Sequence, residues 1–195
     1  LAHNALNEMS SLGAIIRDLK APFAMNDIWT SWCDLRAWQI TNGLRDIYED
    51  TEKRKNLKPE AVWEIENGLS LSGQDIYNAA LKKSKWYNSA SELFEKFDLL
   101  VLPSTQVWPF DLAEIYPLSI NNQKMDTYHR WMQVTIPAGL VGLPVVNIPI
   151  GFGKTGLPAG IQLIGSKGSD GYILSIAQAW HEHTKWPYVN IPNFN

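Results

Sequence analysis

A chain of 195 residues, 45% hydrophobic and 19% charged, is too apolar to be disordered and long enough for one substantial core or two small ones. Its net charge of −3 provides no long-range attraction for nucleic acid or anionic lipid. A single cysteine, Cys33, excludes an internal disulfide, and no stretch approaches the roughly 20 apolar residues of a membrane helix.

The first element is read from Ala5, Met9, Leu12, Ile16 and Leu19, whose steps of four and three predict an amphipathic helix over 5–19, ended by Pro22. The chain opens without Met inside that pattern, so a fragment or a processed subunit is expected. Polar residues throughout 1–20 read against a signal peptide, and the cytoplasm is the expected setting. Asp27 is placed to cap a second helix through Ile28, Trp32, Leu35, Leu44, Ile47 and Tyr48. Gly43 weakens that helix by about 1 kcal/mol relative to alanine. Cys33, set among Trp32, Leu35 and Trp38, reads as a buried inert thiol. Residues 50–58 form a charged connector, and Pro59 suits the first turn of a short helix running towards Gly68.

Ser72-Gly73-Gln74-Asp75 has the spacing of a capping box. It opens a long helix whose apolar face is expected at Ile76, Ala80, Tyr87, Ala90, Phe94 and Phe97. Lys82, Lys83 and Lys85 read as the solvated side of this helix rather than a phosphate site. The continuous apolar run 97–102 predicts a strand buried on both sides and stopped by Pro103. Residues 104–124 are expected to be irregular. Met125–Val134 is predicted as a helix halted before Pro137. Two further buried strands are expected at 145–150 and 160–164, then a helix capped by Ser169 or Asp170 and carrying Ile173, Ile176, Ala177 and Trp180. Strands mixed with helices point to α/β or α+β. The chain is read as one partial domain, 1–195, mainly helical over 1–97 and building a sheet over 98–195.

Several motifs fail on their surroundings. Gly151-Phe152-Gly153-Lys154-Thr155-Gly156 fits G-x-G-x-x-G, but a dinucleotide site needs a helix to follow, and 159–165 reads as a strand. A turn between two strands is the preferred reading. Gly68-Leu69-Ser70-Leu71-Ser72 lacks the glycine that a nucleophile elbow requires two residues after Ser70. His181 and His183 stand two apart, the wrong spacing for a shared metal on a helix face. Asp98, Asp111, Glu114 and Asp126 could serve acid–base chemistry, but nothing in the sequence pairs them.

One resemblance survives. Phe97-Asp98, Pro103-Ser104-Thr105, Thr135-Ile136-Pro137, Gly142-Leu143-Pro144, Ile148-Pro149-Ile150-Gly151 and the run 156–165 (Gly-Leu-Pro-Ala-Gly-Ile-Gln-Leu-Ile-Gly) resemble the C-terminal part of the amidase signature family. The resemblance implies an α/β/α layered fold with a mixed sheet flanked by helices. It implies an amidase that cleaves C–N amide bonds through a serine acyl-enzyme, with no cofactor or metal. The family's nucleophile and its serine and lysine partners lie in a Gly/Ser-rich region upstream. Here Ser10-Ser11 is the only adjacent serine pair, set in a helical pattern with no lysine before it. The chain is therefore expected to be a C-terminal segment that shapes the sheet and substrate pocket. Catalytic residues are expected elsewhere, and the isolated chain is expected to be inactive. Its expected partners are the N-terminal half of the same amidase and a small-molecule amide, with homo-oligomers left open and no nucleic acid or membrane.

Loops just past strand ends hold side chains rigidly beside a pocket. On that ground Thr105, Gln106 and Trp108, and more weakly Trp131, are the expected substrate-binding residues. Two other readings stay open: a non-catalytic binding subunit on the same scaffold, and nucleotide binding by the 151–156 loop.

Overall fold

The structure is a computed structural model that describes residues 1–191. The helices are α1 Ala2–Ser11, α2 Met25–Glu49, α3 Thr51–Arg54, α4 Pro59–Ser70 and α5 Gly73–Phe94, then, beyond the first strands, α6 Ile136–Val141, α7 Asp170–Thr184 and α8 Trp186–Val189. The strands are β1 Leu100–Pro103, β2 Ser119–Ile120, β3 Gln123–Lys124, β4 Val145–Phe152 and β5 Pro158–Ile164, with a 3-10 helix at Arg130–Thr135. The chain divides into two compact units: residues 21–90, and residues 1–20 together with 91–195.

The 21–90 unit is helical. Asp27 falls in the first turn of α2, and Ala24 takes the cap position. The charged connector is partly helical: Asp50 accepts hydrogen bonds from the N–H groups of Glu52 and Lys53 and so starts α3. Pro59 opens α4 as expected, because a missing N–H costs nothing in a first turn. The capping box of α5 is complete. The Ser72 N–H donates to Asp75 Oδ2 at 2.8 Å, and the Asp75 N–H donates to Ser72 Oγ at 3.2 Å. The Ser72 hydroxyl, donating to Asp75 Oδ2 at 2.6 Å, and then the Ser72 N–H hold the Asp75 carboxyl below its ordinary range. The buried stripe of α5 runs through Ala79, Trp86 and Ala90, whereas Ala80 and Tyr87, expected on that face, are exposed.

Helices α2 and α4 approach closely at Gly68. A Cβ built there would lie 2.1 Å from Thr41 Oγ1 and 2.4 Å from the Ala37 carbonyl oxygen. Thr41 uses the proximity to donate to the Ile65 carbonyl at 3.1 Å. Across the same interface the Arg36 guanidinium grips the buried Glu64 carboxylate through both oxygens, at 2.5 and 3.3 Å. Helix α5 joins α2 where Ser31 Oγ donates to the Ala79 carbonyl at 2.7 Å. Lys82 is not free in solvent: it donates to Thr30 Oγ1 and pairs with Asp27. Burial pushes the neighbouring Asp34 carboxyl up, partly offset by Lys82 and reinforced by Asp75.

In the other unit α1 stops eight residues short of the predicted end. Gly13, at φ +104°, lets the chain turn back, with the Ala14 N–H on the Met9 carbonyl and the Gly13 N–H on that of Ser10. This is a Schellman closure, and it leaves Ile16 and Leu19 outside any helix.

The sheet has the order β1-β5-β4 and is antiparallel throughout among the described residues. The two apolar runs of the sequence are β4 and β5, and the Gly/Pro stretch between them is the turn of their hairpin. The Gly153 N–H closes that turn on the Leu157 carbonyl at 2.8 Å. A bulge between Pro149 and Gly151 bends β4, with Gly151 at φ +108° beneath the Trp186 ring. Because β5 is central, Ile161 through Gly165 are all buried, as a strand covered on both sides requires. The edge strand β1 is only half-buried, a correction to its expected full burial. Ala5 of α1, Ile148, Ile150, Ile161, Leu163 and Trp180 of α7 form the core. The Trp180 indole N–H donates to the Pro149 carbonyl at 2.7 Å, fixing α7 on β4.

Two more expectations need correction. Residues 125–134 are not one helix: only the 3-10 helix from Arg130 is regular, and it runs directly into α6. Pro137 sits in the first turn of α6, so it starts a helix rather than halting one. The loop 104–124 contains the β2–β3 hairpin, whose turn residues Asn121 and Asn122 both take positive φ, 47° and 64°. Two left-handed residues in a row are the type I′ signature, which asparagine tolerates.

Candidate functional site

The expected site residues lie where β1 leaves the sheet. Ser104 prolongs the strand pairing, its N–H on the Gly160 carbonyl at 3.1 Å and its hydroxyl on Asn147 Oδ1. Gly160 permits this approach, since a Cβ would come within 2.7 Å of Ser104 Oγ. Thr105 is exposed, and its hydroxyl accepts the Val107 N–H at 3.4 Å in a local turn. Gln106 reaches further: its Oε1 accepts the Val134 N–H at 2.8 Å, which ties the loop to the 3-10 helix.

A second glutamine completes this clamp. Gln162, buried in β5, donates from Nε2 to the Pro103 carbonyl at 2.7 Å and to the Val134 carbonyl at 3.4 Å. The peptide groups at Val134 are thus held by Gln106 on the N–H side and Gln162 on the C=O side. Gln162 was not among the residues expected from the sequence. Its signal was a lone amide within the apolar run Gly160–Ile164, where a buried polar side chain needs a partner.

The aromatic residues stand on this frame. Trp108 lies against Gly153 of the hairpin turn, where an added Cβ would come within 2.7 Å of the ring; the residue is 54% exposed. Trp131, on the 3-10 helix, meets Phe110 edge-to-face at 5.4 Å between ring centroids. Its indole N–H is buried with no acceptor among the described residues. The loop that carries Gln106, Trp108 and Phe110 therefore contacts both the 3-10 helix and the β4–β5 turn. The Thr105 hydroxyl bonds within its own turn and does not join this frame.

Pro158 begins β5 directly after the glycine-rich turn, so a strand follows where a dinucleotide site needs a helix to open. Ser10 and Ser11 are exposed in the last turn of α1, and Ser11 Oγ donates to the Glu8 carbonyl at 2.7 Å. The flanking residues, Glu8-Met9 and Leu12-Gly13, are not the glycine-rich loop that supplies an oxyanion site. Asp98, Glu114 and Asp126 are exposed, and Asp111 accepts the Ala113 N–H in its own turn. No group of three or more His, Cys, Asp or Glu among the described residues could hold a metal. His183 turns to Glu8 of α1 at 2.9 Å rather than to His181. No helix among the described residues is long and apolar enough to cross a membrane.

The Amidase family model matches residues 4–174. The chain belongs to the amidase signature family. Among relatives, a glutamyl-tRNA(Gln) amidotransferase subunit from Dehalococcoides mccartyi is 33% identical over 157 residues, covering 74% of this chain and 30% of that protein. A fatty acid amide hydrolase of Medicago truncatula is 36% identical over 142 residues, covering 70% of this chain and 23% of that protein. The crystal structure of a bacterial aryl acylamidase superposes with a TM-score of 0.82 at 23% identity, over 94% of this chain and 39% of that one. At that identity the superposition establishes the α/β amidase signature fold. The chain spans less than half the length of these amidases.

Proposed function

We propose that this chain is the C-terminal segment of an amidase whose nucleophilic serine and lysine lie in an upstream half. In such an enzyme the serine attacks the amide carbonyl, the amine leaves, and water hydrolyses the acyl ester. This chain contributes the sheet strands and the pocket wall at Thr105, Gln106, Trp108 and Trp131. The observation that carries the reading is the clamp at Val134, which fixes a loop and a 3-10 helix, both bearing aromatic side chains, just beyond the end of β1. A pocket wall must be held rigidly by structure that takes no part in the chemistry.

The same proposal includes the N-terminal half as partner, a small-molecule amide as substrate and a cytoplasmic setting. Exposed apolar side chains outside the regular elements, such as Ile15 at 81%, suit surfaces that another part of an enzyme covers. The test is direct. The purified 195-residue chain is expected to hydrolyse no 4-nitroacetanilide and to take no label from a fluorophosphonate. Fluorophosphonate-sensitive turnover by this chain alone would overturn the proposal.

A further inference from the structure

The 21–90 unit carries a groove of its own. It opens between α3, the connector after it and the first half of α4, with a volume of about 540 Å³. Leu57 and Val62, half-buried, and Pro59 and Trp63, exposed, give it an apolar lining.

Arg54, Lys55 and Glu66 share that lining. Lys55 is held by its own neighbour: Nζ donates to both Glu52 carboxylate oxygens, at 2.7 and 2.8 Å. Arg54 is held differently. Its guanidinium lies over the Tyr48 ring, 4.0 Å from the centroid, and Nη2 donates to Glu66 Oε1 at 3.2 Å. The Tyr48 hydroxyl donates to that same oxygen at 3.0 Å. A guanidinium carries five N–H donors, and one long bond to a shared, half-exposed carboxylate engages few of them. The ring beneath it fixes the plane of the fork, so an incoming anion meets donors already oriented.

The lining selects the ligand. A cation would face Arg54 and Lys55. A dianion would set its second charge beside Glu66 with only the Glu52-bound Lys55 to meet it. A single carboxylate on an apolar body suits both parts: two oxygens for the guanidinium fork, and hydrocarbon or ring against Leu57, Val62 and Trp63.

We propose that this groove binds a monocarboxylate with an apolar body, the carboxylate on Arg54 and the body against Trp63. The inference is independent of the pocket-wall reading, because every residue it uses belongs to the 21–90 unit. The test uses the 195-residue chain with phenylacetate and the neutral phenethyl alcohol as probes, followed through the Trp63 indole N–H resonance, which Trp63→Phe assigns. Phenylacetate is expected to move that signal saturably, and the alcohol to bind about fivefold or more weakly. Arg54→Gln, checked for an unchanged circular dichroism spectrum, is expected to weaken phenylacetate about fivefold and Lys55→Gln at most about twofold. Glu66→Gln removes the competing carboxylate and is expected to tighten phenylacetate about twofold or more, a gain that a misfolded variant cannot mimic. Equal binding of the alcohol, or phenylacetate binding indifferent to Arg54→Gln, would overturn the carboxylate assignment. A Trp63 signal that neither probe moves would overturn the groove as a ligand site.

Discussion

Replacing Gly68 and Gly43 by alanine makes the same chemical change in two helices with opposite expected results. At Gly43 an added Cβ meets nothing within 4 Å, so Gly43→Ala is expected to stabilise by about 0.5–1 kcal/mol through helix propensity alone. At Gly68 the new Cβ would sit 2.4 Å from the Ala37 carbonyl oxygen, about 1 Å inside ordinary van der Waals contact. That oxygen is backbone within α2 and cannot swing away. The Thr41 hydroxyl, 2.1 Å from the same point, can rotate, but only by abandoning the Ile65 carbonyl. Overpacking of this kind costs about 1–3 kcal/mol, and the lost hydrogen bond about 0.5–1.5 kcal/mol more. Set against a propensity gain of about 1 kcal/mol, Gly68→Ala should destabilise by about 1–3 kcal/mol. Urea titration with linear extrapolation measures both variants against the parent chain. In a thermal scan each kcal/mol corresponds to about 2–4 °C for a protein of this size. If Gly68→Ala proved as stable as Gly43→Ala, the close approach of α2 and α4 would be wrong.

Gln162→Leu removes the donor shared by the Pro103 and Val134 carbonyls and is expected to cost about 1–3 kcal/mol, read as a lower urea midpoint. Gly153→Ala drives a methyl group into the end of the Trp108 ring, a flexible side chain, so stability should hold while the Trp108 indole resonance shifts. Asp75 has a folded pKa below its unfolded one, so its stabilising contribution is present above pH ~4 and is lost as pH falls through the lower folded value. Asp75→Asn should flatten that acid limb in urea titrations run at a series of pH values. Asp34 has the opposite sign: its contribution is present below its ordinary pKa and lost as pH rises through the raised folded value, so Asp34→Asn should remove a small decline over that window.

What the sequence disclosed was local. The glycines and proline between two apolar runs mark the β4–β5 turn, and Ser72 with Asp75 marks the start of α5, because each signal is complete within a few residues. Proline was ambiguous: Pro137 stops a helix or starts one according to whether the preceding residues already supply carbonyls, and here it falls in a first turn. The stop at Gly13 is masked by apolar spacing that runs on past it to Ile16 and Leu19. Asn121-Asn122 carried a hairpin signal within a stretch read as irregular. In the candidate site Gln106 and Trp108 were reachable from the strand-end argument, but their partners were not. Gln106 bonds a residue 28 positions away, and Gln162 one 59 positions away. No spacing rule spans such distances; they emerge only when the sheet forms.

The two glutamines hold main-chain atoms at position 134 and do not bond its side chain. Mutational drift at that position can therefore exchange one residue for another while the indole three residues earlier keeps its place. A change in length is different. One residue inserted or deleted between Trp131 and Val134 would present the wrong peptide group to the amides and rotate the indole off Phe110. The segment should thus accumulate substitutions freely and gaps hardly at all.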